Sequence, residues 1–504
     1  MSPTNIIIAS LLIPIIGAVL IWIVGRQPNV RETVTIITSV LLFSSVVQVL
    51  PNISNGERPE LLLLNVAPGL QVAFQIEPLG MLFALIASFL WIVNSLYSIG
   101  YMRGNKEPRQ TQFYIAFAVA LSATMGIAFA GNLFTLFIFY EVLTLSTYPL
   151  VAHHGDSKAR TGGRIYLITL LGTSVLFFIP AILWTFSLAG TLDFRPGGIL
   201  SGKADSITTG FLLALFAFGI GKAALMPFHR WLPSAMVAPT PVSALLHAVA
   251  VVKAGAFTIL KVSIYIFGSE HLLSTGASEW LVYLATFSVL AASIIALTKD
   301  NLKARLAYST ISQLGYIVLG AAIATPLALV GAGMHILMHA FGKITLFFVA
   351  GAIHTATHKT KVSQLNGIGR AMPFTMGAFF IGALSIIGLP PLGGAWSKMY
   401  IALGGMDGGY WFVLAALMIS SLLNIAYLMP IVIRAFFRPV DKENNSTELA
   451  EINNEFNHTL RNRLAEAPWF CVIPLCFTAV ACFILFFAPD AVEQLLNGML
   501  ERPL

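Results

Sequence analysis

Charged residues are scarce in this sequence, because only 10% of its 504 residues are Asp, Glu, Lys or Arg. Soluble globular chains usually carry about 25%, so the composition excludes an ordinary water-soluble protein. Apolar runs of about 20 residues, the length that crosses a bilayer, recur along the whole chain. The net charge of +7 does not indicate nucleic-acid binding, since the basic residues are spread over short loops. The composition therefore predicts an all-α polytopic membrane protein.

Cysteine is also rare. Cys471, Cys476 and Cys482 all fall within one apolar run, where cysteine behaves as a small apolar residue, so we expect neither a disulfide nor a metal site there. The segment around Lys222 reads Gly-Ile-Gly-Lys-Ala and lacks the leading glycine and the Ser/Thr of a phosphate-binding loop. Motifs for redox cofactors are missing as well. The sequence predicts a chain that holds no metal and no cofactor.

Fourteen apolar runs are predicted to span a bilayer. We number them spans 1 to 14, with predicted bounds 5–24, 32–50, 78–101, 110–129, 132–152, 162–188, 207–238, 240–267, 279–298, 301–324, 327–355, 372–406, 410–436 and 468–488. The first run has no basic leader, so we expect a span rather than a cleaved signal peptide. Strand-like runs occur near 60–75, and the polar segment 440–466 predicts an amphipathic cytoplasmic helix.

The basic residues predict the orientation of these spans. Of the 29 Lys and Arg residues, 20 lie in alternate loops on one side, whereas the other side has four: Arg58, Arg195, Lys203 and Arg502. Basic loops usually remain in the cytoplasm. We therefore expect a bacterial inner-membrane protein with both termini outside. The remaining five basic residues are lysines inside spans.

Two spans are interrupted in similar ways. Span 7 contains Pro227 and Pro233, and span 12 contains Gly-Leu-Pro-Pro-Leu-Gly-Gly at 388–394. They are five spans apart, so spans 4–8 and 9–13 are predicted to form two five-helix repeats. Because each repeat has an odd number of spans, the second repeat crosses the membrane in the inverted orientation. Broken helices at matching places of inverted repeats indicate a transport path. The predicted divisions are 1–109 (three helices and an outward loop), 110–268 (first repeat), 279–436 (second repeat) and 437–504 (connector and last span).

The charges inside spans are the residues that topology does not explain. A charged side chain at the bilayer centre costs about 2.5–3.5 kcal/mol on insertion scales, and such residues usually pair or line a hydrated path. Lys261 lies near the outer end of span 8, where we expect its ammonium group to reach the interface. Glu141 in span 5 is the only acid deep in a span, and Lys222 in span 7 is its natural partner.

Histidines extend this set of ionisable residues. His335, His339 and Lys343 are four residues apart and share one face of span 11, whereas His247 and Lys253 in span 8 point to different sides. The residue after His335 is isoleucine, not the glutamate of a zinc-peptidase motif. Proton exchange by imidazole is therefore favoured over metal binding. The alternatives are a hydrogen-bonded structural role for His247 and a purely structural scaffold for the whole chain.

The same part of the sequence resembles a known family. The resemblance lies in Gly221-Lys222, Trp231-Leu-Pro-Ser-Ala-Met236, Ala238-Pro-Thr-Pro-Val-Ser-Ala-Leu-Leu-His247 and Val252-Lys-Ala-Gly255. These motifs resemble the signature of proton-translocating, antiporter-like subunits, which occur in respiratory complex I, membrane-bound hydrogenases and Mrp cation/proton antiporters. The similarity covers roughly residues 75–435. Within the family, the chain is most similar to the D-type component of the Mrp Na+/H+ antiporter.

The resemblance implies a route and a function. Protons would move along a buried row, in which Glu141 pairs with Lys222 and Lys398 exchanges with the outer side. The implied relay residues are Glu141, Lys222, His247, Lys253, His335, His339, Lys343 and Lys398. The implied function is the proton-translocating subunit of a Na+/proton antiporter, not an enzyme, with other membrane subunits, protons, Na+ and lipid as partners. The alternative is a proton-pumping subunit of a complex I-like or hydrogenase-type redox complex.

Overall fold

Helices make up nearly all of the described chain. The structure is a computed structural model, and it describes residues 2–439 and 465–500. Within these residues, eleven helices are long and apolar enough to cross a membrane, or twelve if the bent pair near the end is one span. Two shorter apolar helices, Ser206–Gly219 and Pro373–Ile387, begin the interrupted spans 7 and 12. The predicted fold class, an all-helical polytopic membrane protein with breaks in spans 7 and 12, is confirmed.

The N-terminal region contains three spans and a hairpin. Its elements are α1 (Pro3–Ile23), α2 (Pro28–Val47), α3 (Leu50–Ser54), β1 (Glu60–Ala67), β2 (Leu70–Gln75) and α4 (Pro78–Gly104). The strand-like runs near 60–75 therefore do form strands, which pair antiparallel. Span 2 begins earlier than predicted, because the buried Arg31 and Glu32 lie within α2 and neutralise each other at 3.3 Å. Arg103 also binds Glu32 and ties α4 to this helix.

The first five-helix unit begins on the side of the basic loops. Its elements are α5 (Gln110–Ala128), α6 (Leu133–Val151), α7 (Ser157–Thr173), α8 (Ile179–Ala189), α9 (Ser206–Gly219), α10 (Trp231–Ser234), α11 (Thr240–Ala244) and α12 (Val251–Val262). π-helical turns join α7 to α8 and α11 to α12, so each pair forms one span. Asn132 and Asp156 cap α6 and α7 by accepting hydrogen bonds from backbone amides, which fixes where these helices start.

The second five-helix unit repeats this pattern. After α13 (Ser269–Thr275), its elements are α14 (Glu279–Thr298), α15 (Leu302–Ile323), α16 (Pro326–Thr357), α17 (Ile368–Ala371), α18 (Pro373–Ile387), α19 (Gly394–Asp407) and α20 (Trp411–Phe437). In both units the fourth span is broken and carries a lysine at or just beyond the break. An odd number of spans separates the two starting points, so the second unit begins on the opposite side of the membrane.

Two spans lie entirely inside the protein. The residues of span 8, Thr240–Phe267, and the central part of α16 are all buried, whereas α1, α7–α8 and α20 expose apolar side chains to the surroundings. The ionisable residues of spans 8 and 11 therefore lie at the protein centre, away from lipid. Such residues occur inside membranes mainly where they pair or contact water.

The last span differs from its predicted form. It comprises α21 (Trp469–Ile484), which ends before the predicted boundary at 488, and a bend of 74° then leads into α22 (Pro489–Asn497). Proline at the start of α22 lacks the amide hydrogen that would continue the preceding helix. The amphipathic helix predicted for 440–466 falls almost wholly outside the described residues, which resume at residue 465.

Candidate functional site

Lys222 lies at the break in span 7. The helix α9 ends at Gly219, and Lys222 occupies the 3-10 turn Gly221–Ala223 that follows. Its fully buried ammonium group donates hydrogen bonds to the Tyr140 carbonyl at 2.8 Å and the Thr144 hydroxyl at 2.6 Å, and lies 3.2 Å from the centre of the Tyr140 ring. The broken helix thus places a cation against α6.

Glu141 lies on the turn of α6 that Lys222 contacts. Both carboxylate oxygens of Glu141 are buried and lack a hydrogen-bond partner, and no ion pair with Lys222 forms among the described residues. The Lys222 ammonium instead donates to the carbonyl of Tyr140, the residue before Glu141, and to the hydroxyl of Thr144, about one turn further along α6. The coupling of these two residues therefore stays a prediction, although the Lys222 ammonium contacts the turn of α6 that carries Glu141.

His247 lies in the π-helical turn Leu245–Val249 between α11 and α12. Single π-helical turns are rare and often occur at functional sites. The ring of His247 packs against Phe347 with 4.5 Å between ring centroids, and neither ring nitrogen has a partner in the protein. The part of His247 in proton transfer stays a prediction.

Spans 8 and 11 meet through Lys253 and His339. The Lys253 ammonium donates to Nδ1 of His339 at 2.8 Å, although the two residues are 86 positions apart in the sequence. His339 in turn stacks on His335 with 5.8 Å between ring centroids. His339 of the predicted face therefore contacts span 8, and the three proton-binding groups Lys253, His339 and His335 follow one another.

His335 continues the contacts toward the break in span 12. Its Nδ1 is 2.9 Å from the Ser397 hydroxyl, and its ring stacks on Tyr316 at 5.3 Å. Lys398 follows Ser397 in the chain, and its ammonium nitrogen lies 4.9 Å from the centre of the same Tyr316 ring. The Lys398 ammonium donates to the carbonyls of Ile386 and Ile387 at 2.9 and 2.8 Å, at the end of α18 where the break leaves carbonyls free.

Lys343 takes a side position on the same helix. Its ammonium donates to the Ser309 hydroxyl at 2.5 Å and lies 3.4 Å from the Leu306 carbonyl, both on α15. The Tyr427 hydroxyl donates to Ser309 at 2.8 Å, which extends this branch to α20. The structure therefore places Lys343 on a branch beside the line from Lys253 to Lys398.

Unpartnered buried polar atoms accompany the whole row. Besides Glu141 and His247, side-chain atoms without a partner in the protein belong to Ser243, Gln313, Tyr316, His335 and His339. Buried polar groups are nearly always hydrogen-bonded, either to protein or to ordered water. The set therefore suits a hydrated path through the protein centre. Among the described residues, no group of three or more His, Cys, Asp or Glu side chains is arranged to hold a metal ion.

The expectation for Lys261 was wrong. Its side chain is fully buried instead of reaching the interface, and its ammonium lies 3.2 Å from the Glu77 carboxylate and 2.9 Å from the Ala130 carbonyl. Glu77 also caps α4 through the amides of Leu79 and Gly80 and accepts a hydrogen bond from Tyr265 at 3.0 Å. This partner, 184 positions away, makes burial of the lysine tolerable.

Several polar residues of the row were not found from the sequence. Ser397, Tyr316 and Ser309 are uncharged, and composition gave no reason to choose them among many similar residues. The position of Ser397 directly before Lys398 was the one available signal. A second group was missed because it lies in loops: Glu107 with the adjacent histidines His153 and His154.

Comparison with known proteins identifies the relationship. The family described as NADH:quinone oxidoreductase/Mrp antiporter, TM, matches residues 130–424. The chain belongs to this family. The matched range contains all eight predicted relay residues, and the expected relationship is confirmed.

The similarity extends to whole chains. NADH-quinone oxidoreductase subunit N of Desulforudis audaxviator is 32% identical over 440 residues, which are 86% of each chain. NADH-quinone oxidoreductase subunit L of Mycobacterium tuberculosis is 33% identical over 68% of this chain, which spans only 54% of that protein. A chain in the structure of the Mrp complex from Dietzia sp. superposes with a TM-score of 0.83 at 20% identity, over 99% of this family member and 97% of that chain. The last likeness shows a shared fold.

Proposed function

We propose that this family member is the proton-translocating subunit of a multisubunit monovalent cation/proton antiporter. The observation that carries the proposal is the line of contacts from Lys253 through His339, His335 and Ser397 to Lys398. Each ionisable group along it can give or take a proton. Neighbouring unpartnered atoms suit the water molecules that would complete the line.

The two broken spans supply the ends of the proposed route. Lys222 and Lys398 both lie at a helix break and bind backbone carbonyls. The carbonyls that Lys398 binds are at the C-terminal end of α18, where free carbonyls favour a cation, and the carbonyl that Lys222 binds is that of Tyr140 within α6. In the proposed function, Lys222 exchanges protons with Glu141 in the first unit, and Lys398 exchanges them with the outer side. The chain then acts as a transporter subunit and not as an enzyme.

The cation path is proposed to belong to partner subunits. Na+ is a hard cation that prefers oxygen ligands, whereas Glu141 is the one carboxylate among the eight relay residues. A row of four lysines and three histidines suits protons better than Na+. The full-length likeness to a chain of the Mrp complex supports an assembly with other membrane subunits.

A second candidate function is a proton-pumping subunit of a redox-driven complex. The specific observation in its favour is the similarity to NADH-quinone oxidoreductase subunit N over 86% of both chains. The same row of residues would serve that function, with energy supplied by electron transfer in companion subunits. Proton movement that follows NADH or hydrogen oxidation, and not an imposed Na+ gradient, would favour this second function.

The test is proton/cation exchange by the assembled complex in everted membrane vesicles. Na+ is added, and a fluorescent dye reports the internal pH. We expect Lys222→Ala and Lys398→Ala to abolish exchange while the complex still assembles, and His339→Ala to slow it, since water can often replace one histidine. The matched control is Glu77→Gln with Lys261→Met, which removes a buried ion pair outside the row. Wild-type exchange by the assembled Lys398→Ala complex would contradict the proposed route.

The dependence on partners has its own test. The purified single chain is reconstituted in liposomes with an imposed Na+ gradient. We expect no Na+-driven pH change, because the proposed cation path lies in other subunits. Robust exchange by the single chain would show a self-sufficient antiporter and would contradict this part of the proposal.

A further inference from the structure

A cluster of titratable side chains lies at the basic-loop side, away from the row. Glu107 is in the loop between α4 and α5, and His153 and His154 follow α6. Nε2 of His154 is 3.2 Å from the Glu107 carboxylate, and Nε2 of His153 is 3.8 Å from it. The exposed fraction of the side chain falls from 34% for His154 to 8% for Glu107 and 4% for His153. The cluster therefore connects the surface with the interior.

The three side chains have different proton affinities. The hydrogen bond to Glu107 raises the pKa of His154, although burial opposes it. Burial alone would raise the pKa of Glu107, but His154, His153 and His354 together outweigh this and the pKa lies below its usual value. Burial lowers the pKa of His153, whose Nε2 has no hydrogen-bond partner. His154 therefore binds a proton more strongly than His153, and both lie beside the same Glu107 carboxylate.

One turn of the backbone links this cluster to a lysine deeper in the protein. Nδ1 of His154 contacts the Val237 carbonyl at 3.2 Å, and the Lys303 ammonium donates to the next carbonyl, that of Ala238, at 2.5 Å. Two consecutive carbonyls of the turn before α11 therefore bind the half-exposed His154 and the half-buried Lys303. His354 lies within electrostatic reach of Glu107, His154 and Lys303, and its Nδ1 is buried without a partner.

The same turn leads into the span that carries His247. Ser243 lies one helical turn before His247, on the same face, and its hydroxyl has no partner in the protein. The charge of Lys303 also acts on His247. The charged and titratable groups that act on Glu107, His153 and His154 are Tyr101, Arg109, Lys303 and His354, and His358 acts on His354. Glu107 is the one carboxylate in this described group, and the histidines around it can pass a proton toward the interior.

We propose that Glu107, His153 and His154 form a proton-uptake mouth on the basic-loop side, which passes protons along the turn before α11, past His354 and Lys303, toward the span that carries His247. The inference rests on the proposed function, since it supplies protons to the row. A proton from water binds at the His154–Glu107 pair. It then moves to the neutral His153 or His354 and on past Lys303, with no covalent step.

The test measures proton uptake by the assembled complex in everted vesicles loaded with Na+, because Na+ efflux then draws protons inward from the outer medium, which bathes the basic loops in the predicted orientation. Rates are measured between about pH 6 and about pH 9 in weak buffer, with and without added imidazole. We expect Glu107→Gln, and His153→Gln with His154→Gln, to lose most of the exchange rate near pH 8, because the first removes the carboxylate that raises the pKa of His154 and the second removes both imidazoles of the cluster. The loss should vanish toward pH 6. Imidazole, a mobile proton carrier, should restore the rate.

Two reference variants separate this inference from the proposed function. His271→Gln changes a histidine on the opposite side, where Nε2 contacts Thr209 at 2.9 Å, and should leave every rate unchanged. Lys398→Ala should lose exchange at every pH, with or without imidazole. If Lys398→Ala loses exchange while the Glu107 and histidine variants match wild type, the mouth is refuted and the row stands. A loss in those variants that imidazole and pH do not relieve also refutes it. Wild-type exchange by Lys398→Ala overturns the proposed function as well.

Discussion

Replacing Gly255 by alanine tests how Lys222 is positioned. Gly255 in α12 packs directly on the broken turn of span 7, and a Cβ atom there would lie 2.2 Å from the Ala223 amide nitrogen and 2.3 Å from the Lys222 carbonyl carbon. Both are backbone atoms and cannot rotate away. Restoring ordinary van der Waals contact requires the turn and α12 to separate by about 1 Å.

This displacement is large compared with the hydrogen bonds of Lys222. The bond to the Thr144 hydroxyl is 2.6 Å long and that to the Tyr140 carbonyl is 2.8 Å, so a shift of about 1 Å would carry both beyond the bonding range. Hydrogen bonds to charged groups contribute about 1.5–3 kcal/mol. If the loss of this hydrogen-bond free energy raises the barrier to proton transfer by the same amount, exchange by Gly255→Ala should be roughly tenfold to a hundredfold slower.

The assay is the initial rate of Na+-dependent pH change per assembled complex in everted vesicles. Assembly is measured separately by native electrophoresis, because overpacking of about 1–3 kcal/mol could also lower the yield. The matched control is Gly172→Ala in α7 of the same unit, where an added Cβ meets no atom within 4 Å. A wild-type rate per complex in Gly255→Ala would refute the idea that this contact positions Lys222.

Three further predictions concern the row, the buried ion pair and the orientation. Ser397→Ala removes the hydroxyl that reaches the histidines of α16 and should slow exchange about two- to tenfold, as expected for one hydrogen bond of about 0.5–1.5 kcal/mol. Lys261→Ala leaves Glu77 buried without its cation and should lower the free energy of unfolding in detergent by about 3–5 kcal/mol, whereas Glu77→Gln with Lys261→Met should recover most of it. Labelling with impermeant maleimide should reach Ser201→Cys from outside intact cells and Ser157→Cys only in everted vesicles; the reverse pattern would contradict the predicted orientation.

The spans could be predicted closely from hydropathy and from proline and glycine. The predicted bounds 240–267 and 279–298 coincide with the described spans, because charged or glycine residues mark their ends. The breaks in spans 7 and 12 were visible in the same way. The division of the chain at 109, 268 and 436 stays a prediction, since the helices on both sides of each boundary pack together and no structural feature marks where one region ends.

The neighbours of the ionisable residues could not be predicted from the sequence. Lys253 and His339 are far apart in the chain, and so are Lys261 and Glu77. Such contacts depend on how whole helices are rotated, which small residues such as Gly255 determine. For Lys261 the expectation failed because Glu77 lies at a helix end and looked like a loop residue, although it is buried.

The ammonium groups at the two breaks are held by peptide carbonyls and hydroxyls, not by carboxylates. Peptide carbonyls and hydroxyls do not titrate in the ordinary pH range, so their attraction for the ammonium groups is the same at every pH of the surrounding water. Their influence depends steeply on distance and angle. Sliding or turning the end of α18 by about 1 Å would therefore change the proton affinity of Lys398, so a neighbouring protein in the complex that moves this helix end can act on the row without touching it.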